Sequence, residues 1–260
     1  DELHMAFNFD FMRQRWSAPA FRASARKWYA ALPAGAWPNF TLSNHDQSRH
    51  AWRYRGRCEA ETEARSRVAA AMLLTLRGTP FLYYGEEIGM TCVRIPRRRL
   101  RDPLGIRTWP LAMLGRDPER TPMQWDASPG AGFTNGESWL PLNPDWRTRN
   151  VAAQEGEPSS LLSWYRALIA LRTTTNALKR GSISFLDLDR RLLSYDRSCD
   201  DAEEEKRVRV LLNFSARVAR ARIDAGGSVL LGSRRAAGAA IDAGALALGA
   251  YEVLIYAISS

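Results

Sequence analysis

Part of a (β/α)₈ barrel followed by an antiparallel β domain is the fold this 260-residue sequence predicts, and three observations predict it. Two short apolar stretches, residues 40–42 and 79–84, run directly into polar groups: Asn44-His45-Asp46 in one case and Gly85-Glu86-Glu87 in the other. Chemistry at the C-terminal ends of parallel strands is the habit of that barrel. Helical periodicity alternates with these stretches, as βα units require. Beyond Thr175 the composition changes to short alternating segments divided by Gly, Asp and Ser, the pattern of antiparallel sheet.

The elements follow in order. Residues 3–9 are apolar and strand-like. Residues 18–32 read as a helix, because Phe21, Ala25, Trp28 and Leu32 recur at spacings of three and four. Residues 40–43 form the next strand. Residues 61–77 form a second helix with a stripe of Val68, Met72 and Leu76 beside Ala69 and Leu73, and Gly78 stops it. Residues 79–84 are a short, fully buried strand by length and composition. Residues 88–157 are rich in Pro, Gly, Trp and Arg and show little periodicity; loops of that length are functional or disordered. Trp109, Trp125, Trp139 and Trp146 argue for order, since an exposed aromatic forgoes about 25 cal/mol per Å² of apolar area. Pro158-Ser159-Ser160 then caps a helix through Arg172, with Leu161, Tyr165, Leu168 and Leu171 inward. Strands are expected at 182–187, 191–196, 208–214, 217–223, 229–231 and 250–258, with a charged hairpin tip at 200–206 and a loop at 232–249. A boundary near 176–181 divides the barrel portion, 1–177, from the β domain, 178–260.

The composition narrows the function classes. The net charge of +9 comes almost wholly from arginine, and the arginines are spread along the chain rather than clustered on a recognisable nucleic-acid module. The dense group Arg97-Arg98-Arg99, with Arg94 and Arg101 near it, reads as a solvated or carboxylate-paired loop, so no nucleic-acid partner is expected. Cys58, Cys92 and Cys199 have neither metal-site nor disulfide-framework spacing, which favours a reducing, cytoplasmic setting. No apolar segment is long enough to span a bilayer and no basic-then-apolar leader opens the sequence, so no membrane partner is expected. His45, Asp46 and His50 fit no standard zinc spacing, and neither a metal nor a cofactor is expected.

Three ordered strings then carry a resemblance. Asn44-His45-Asp46-Gln47, the run from Gly78-Thr79-Pro80 to Gly85-Glu86-Glu87-Ile88-Gly89-Met90, and above all Arg116-Asp117-Pro118-Glu119-Arg120-Thr121-Pro122-Met123-Gln124-Trp125-Asp126 resemble the α-glucosidase and oligo-1,6-glucosidase branch of the α-amylase superfamily, glycoside hydrolase family thirteen. The likeness runs from Glu2 to about Arg172 and is weaker beyond. It implies that residues 3–9, 40–43 and 79–84 are the sixth, seventh and eighth strands of the barrel, followed by a β-sandwich-like domain. It also implies a retaining mechanism run by three acidic residues, of which Asp46 matches the one that holds the sugar ring and stabilises the transition state. His45 matches the sugar-binding histidine, Arg116 an arginine that reaches the same subsite, and Arg120 one that pairs with acidic groups of the pocket.

The nucleophile and the acid/base have no match in these residues. Retaining hydrolysis needs two carboxyls about 5 Å apart. The resemblance therefore implies an intact parent that hydrolyses terminal α-linked glucose from short oligosaccharides, with the missing N-terminal half of the barrel as partner and this chain inactive alone. A trehalose-forming or other transglucosidase and a non-catalytic carbohydrate-binding or scaffold module are the alternatives. Glu86 and Glu87 are expected to anchor loops. His4 is read as a lining residue. Trp109, Trp125 and Phe133 remain open between core packing and a sugar-stacking platform.

Overall fold

The computed structural model describes residues 5–33, 35–111, 115–199 and 207–259. In chain order the helices are α1 (Phe9–Met12), α2 (Ala18–Ala31), α3 (His50–Arg53), α4 (Glu59–Thr75), α5 (Pro103–Arg107), α6 (Val151–Gln154), α7 (Leu161–Thr174) and α8 (Asn176–Arg180). The strands are β1 (Asn39–Thr41), β2 (Thr79–Phe81), β3 (Ser182–Leu186), β4 (Leu192–Ser198), β5 (Arg207–Asn213), β6 (Ala219–Ile223), β7 (Gly227–Gly232), β8 (Ala240–Ile241), β9 (Gly244–Leu248) and β10 (Val253–Ile258). They fall into two compact units that interleave along the sequence.

The first unit comprises Asp1–Thr41, Arg67–Phe81 and Arg166–Ser260. Its β1 and β2 pair in parallel, Phe40 opposite Pro80, with α4 in the connection between them. Phe11 of α1 and Phe21 of α2 are buried, and the Phe11 ring lies 4.6 Å from that of Phe40 and 5.1 Å from that of Phe21. The C-terminal strands form a six-stranded sheet, β3-β4-β5-β10-β7-β8, and a two-stranded sheet, β6-β9. Leu192, Leu211, Val229, Leu254 and Tyr256 of the larger sheet share one buried cluster with Ala219, Ile223 and Leu248 of the smaller. Two sheets that face each other across one buried cluster make a sandwich.

Four expectations change against this fold. Residues 5–8 form no strand, and residues 1–4, including His4, lie outside the described residues. Instead Asn8 caps α1, its side-chain oxygen accepting from the Phe11 amide at 3.0 Å, so a run that alternates like a strand ends in a helical turn. β2 is three residues long and partly exposed throughout, not fully buried, because β1 is its sole partner among the described strands. The loop expected at 232–249 contains β8 and β9; in Gly244–Leu248 the leucines are buried and the alanines exposed, a period of two that small side chains disguise. The second half of α4 is buried on all sides rather than along a stripe, since every residue from 68 to 74 is enclosed. The hairpin tip expected at 200–206 lies outside the described residues.

The end of α4 is held by two arginines. Arg172 of α7 donates to the carbonyls of Leu74 (2.8 Å) and Gly78 (2.5 Å). Arg197 of β4 donates to those of Thr75 (2.5 Å), Gly181 (2.9 Å) and Ser182 (2.9 Å). Cations suit a helix C-terminus, where unpaired carbonyls concentrate negative charge. Burial draws both guanidiniums below their ordinary range, Arg197 to about 10.

The second unit, Leu42–Ser66 and Leu82–Tyr165, has little regular structure. It is ordered by small apolar clusters, such as Ile88, Met90, Met123 and Leu162, and by side chains that satisfy loop backbone. Asp117 accepts from the amides of Arg101 (2.6 Å) and Asp102 (2.9 Å), and Asn143 donates to the Thr91 carbonyl at 3.0 Å. Ser160 caps α7 by accepting from the Ser163 amide at 3.1 Å. Among the described residues no helix is long and apolar enough to cross a membrane.

Candidate functional site

Residues 43–50 leave β1 as a tight loop of the second unit. Its base is pinned by Ser43, whose hydroxyl accepts from the His50 amide at 2.9 Å, and its tip by Asn44, whose side chain accepts from the Asp46 amide at 2.8 Å. The His50 Nδ1 faces Glu86 Oε1 at 3.2 Å, with both side chains only 1% exposed. Arg49 is fully buried and its guanidinium packs on the rings of Tyr83 (4.8 Å) and Tyr84 (4.4 Å). It also donates to the carbonyls of Tyr84 and, at 3.0 Å, Glu119. Glu86 and Arg49 thus tie the loop to the turn after β2 and to the segment that precedes Arg120.

On that support His45, Asp46, Arg116 and Arg120 come together. Arg120 Nη2 donates to Asp46 Oδ1 at 2.8 Å, while its Nε donates to the His45 carbonyl at 2.7 Å. Arg116 Nη1 reaches the same Oδ1 at 3.5 Å, and His45 Nε2 lies 3.5 Å from Oδ2. The Asp46 side chain nonetheless stays 43% exposed. One oxygen is held by two guanidiniums and the other edge faces solvent beside an imidazole, so the group can accept hydrogen bonds from a polyhydroxylated ligand without moving. Such charge-assisted bonds are the strong ones.

The sequence did not single out Asp102, Arg49 or Glu119. Asp102 is buried and holds Arg116 twice, accepting from its amide at 2.8 Å and its Nη2 at 3.1 Å. Burial pushes the Asp102 carboxyl up, but the Arg116 amide and guanidinium outweigh it and leave the group below its usual range. Glu119 is driven the other way, to about 8, by burial that Arg49 and Arg120 only partly offset. Of the aromatics, Trp125 and Phe133 line one groove together with Trp139, whereas Trp109 packs with Val93 against Ile95 and Leu100.

Comparison with known proteins gives consistent kinships. The family model for the alpha amylase catalytic domain matches residues 1–181. A probable alpha-glucosidase of Rhizobium meliloti is 37% identical over 199 residues, 76% of this chain and 36% of that protein. An oligo-1,6-glucosidase of Parageobacillus thermoglucosidasius is 32% identical over 244 residues, 82% of this chain and 42% of its own length. Among solved structures, trehalulose synthase MutB from Pseudomonas mesoacidophila superposes with a TM-score of 0.87 at 31% identity, covering 99% of this chain and 51% of that one. An alpha-glucosyl transfer enzyme, XgtA, gives 0.85 at 35% identity, covering 99% and 46%. The chain therefore spans about half or less of the length of each of these relatives.

Proposed function

Because this chain belongs to the alpha-amylase catalytic-domain family, we propose that its Asp46 loop is the part of a retaining α-glucoside site that grips the glucosyl ring. The convergence of Arg116 and Arg120 on one oxygen of a still-exposed Asp46 carries this reading. A carboxylate so oriented accepts two hydroxyl hydrogen bonds from the sugar. Those bonds tighten as the ring flattens toward the oxocarbenium-like transition state. His45 adds a donor on the open side, and Asp102 keeps Arg116 in place.

The nucleophile and the acid/base come, in this reading, from the fourth and fifth barrel strands, which these 260 residues do not supply. Asp102, the next carboxylate linked to the site, is buried against Arg116 and cannot flank a bond. The intact protein removes terminal α-linked glucose from short oligosaccharides, with retention. The chain by itself is expected to release no p-nitrophenol from p-nitrophenyl α-glucoside, and measurable release would overturn the assignment. NMR shifts caused by methyl α-glucoside should centre on the 43–50 loop and vanish in Asp46→Asn.

Transfer of the glucosyl group to a sugar hydroxyl is a second reading, favoured by the kinship with trehalulose synthase and the alpha-glucosyl transfer enzyme. Product analysis of the intact protein on sucrose and maltose separates the two: free glucose marks hydrolysis, and a rearranged or lengthened sugar marks transfer.

A further inference from the structure

A separate groove of about 680 Å³ opens in the first unit, lined by Arg26 and Tyr29 of α2, Ile183 and Phe185 of β3, and Arg77 just past the end of α4. That volume is ordinary for a small-ligand pocket. Its floor is aromatic, the Phe185 ring centre lying 6.2 Å from that of Tyr29. Both arginines stand over rings: the Arg26 guanidinium is 5.4 Å from the centre of Phe185, and that of Arg77 is 4.7 Å from the centre of Trp37. Tyr29 joins the two sides, donating its hydroxyl to the Arg77 carbonyl at 2.9 Å. Stacking holds the plane of a guanidinium and leaves the N–H groups at its edge for an acceptor.

The charge here is unbalanced. Among the described residues no carboxylate pairs with Arg26, Arg77, Arg172 or Arg197, whereas Arg22, one turn before Arg26 on α2, is matched by Asp187 at 2.7 Å. Arg172 and Arg197 spend their donors on peptide oxygens at the end of α4; the side chains of Arg26 and Arg77 bond to no described acceptor. Burial draws Arg197 down to about 10, and the like charges of Arg172 and Arg77 add to that pull. Gathered cations without a counter-charge repel one another, and a bound anion relieves the repulsion. A carboxylate brings one negative charge, but a phosphomonoester brings about two and three acceptor oxygens, enough for two guanidinium forks. We propose that this groove binds a small phosphomonoester, its phosphate held by Arg26 and Arg77 and its body lying on Ile183 and Phe185. Every residue of the groove belongs to the first unit, while Asp46 belongs to the second, so the inference stands apart from the sugar reading.

Phenyl phosphate is the probe, titrated into the full chain by calorimetry at fixed ionic strength, because exposed ion pairs are screened by salt. Two charge-assisted contacts lead to an expected dissociation constant of about 0.1–1 mM. Arg26→Gln and Arg77→Gln should each weaken binding about tenfold. Arg26 is exposed and bonds to no described acceptor, so its replacement spares the fold. Arg22→Gln, which removes an arginine already matched by Asp187, should leave the affinity unchanged. No binding of phenyl phosphate overturns the site. A loss in Arg22→Gln as large as in Arg26→Gln overturns it too, since it marks diffuse attraction to a basic surface. Benzoate, the monoanion, should bind at least about fivefold more weakly, and equal affinity overturns the choice of phosphate. Inorganic phosphate that binds as tightly as phenyl phosphate overturns the seating of the body on Phe185.

Discussion

Arg120 spends its fork on two acceptors, the His45 carbonyl and the Asp46 carboxylate, and among the described residues none holds that carboxylate more closely. Lysine offers a single point charge in place of the planar fork. Arg120→Lys should therefore weaken methyl α-glucoside binding about tenfold, the loss of one hydrogen bond to a charged group, as read by calorimetry. Glu119 supplies a pH signature. Its folded value of about 8 lies above the ordinary 4.5, so the folded chain keeps a proton that the unfolded chain has released. Between those values the folded state binds more protons, and stability falls as pH rises by up to about 1.4 kcal/mol per unit. Urea midpoints should drop from pH 5 to pH 8, and Glu119→Gln should flatten most of that slope; an unchanged slope would place the titration elsewhere. These residues also show what a sequence exposes and hides. His45, Asp46, Arg116 and Arg120 stood out because each matches a residue of the strings that carry the family resemblance. Asp102 and Glu119 did not, because their meaning comes from Arg116 14 residues on and Arg49 70 residues back.

Among the elements, α4 and the turn that ends it set the parallel pairing of β1 with β2. Gly78 has φ of +143°, and a Cβ there would sit 2.9 Å from the Pro38 carbonyl oxygen. Gly78→Ala should lower the unfolding free energy by at least about 1 kcal/mol, seen as a lower urea midpoint at unchanged slope. In the C-terminal sheet the buried Asp196 of β4 accepts from Arg209 of β5 at 2.7 and 2.9 Å, and from Arg207 at 3.0 Å. Asp196→Ala would leave the enclosed Arg209 guanidinium with Asp224, at 2.5 Å, as its remaining carboxylate partner, and should cost about 3 kcal/mol in the same assay. Elements with large side chains on a clear period, α2, α7, β4 and β5, could be read from sequence within a few residues. β9 could not, because Ala245 and Ala247 flank its leucines and apolar alternates with apolar. α1 could not either, because four residues are too short to show a period and only Asn8 marks its start.

For the molecule as a whole, the order of the three motifs was enough to read the family, but not the interleaving of the two units, since the chain leaves the first at Leu42 and Leu82 and returns at Arg67 and Arg166. Recurrence of that kind is set by contacts between segments far apart in sequence. The end of α4 shows the result most clearly. Arg197 arrives there from the C-terminal sheet, more than a hundred residues downstream, to meet the Thr75 carbonyl. Anyone grafting the terminal sheet of a cousin enzyme onto this chain would have to carry a guanidinium across at that one place. A hybrid with a neutral side chain there would strand a peptide oxygen in a dry setting, and the join would fail at the helix rather than at the seam.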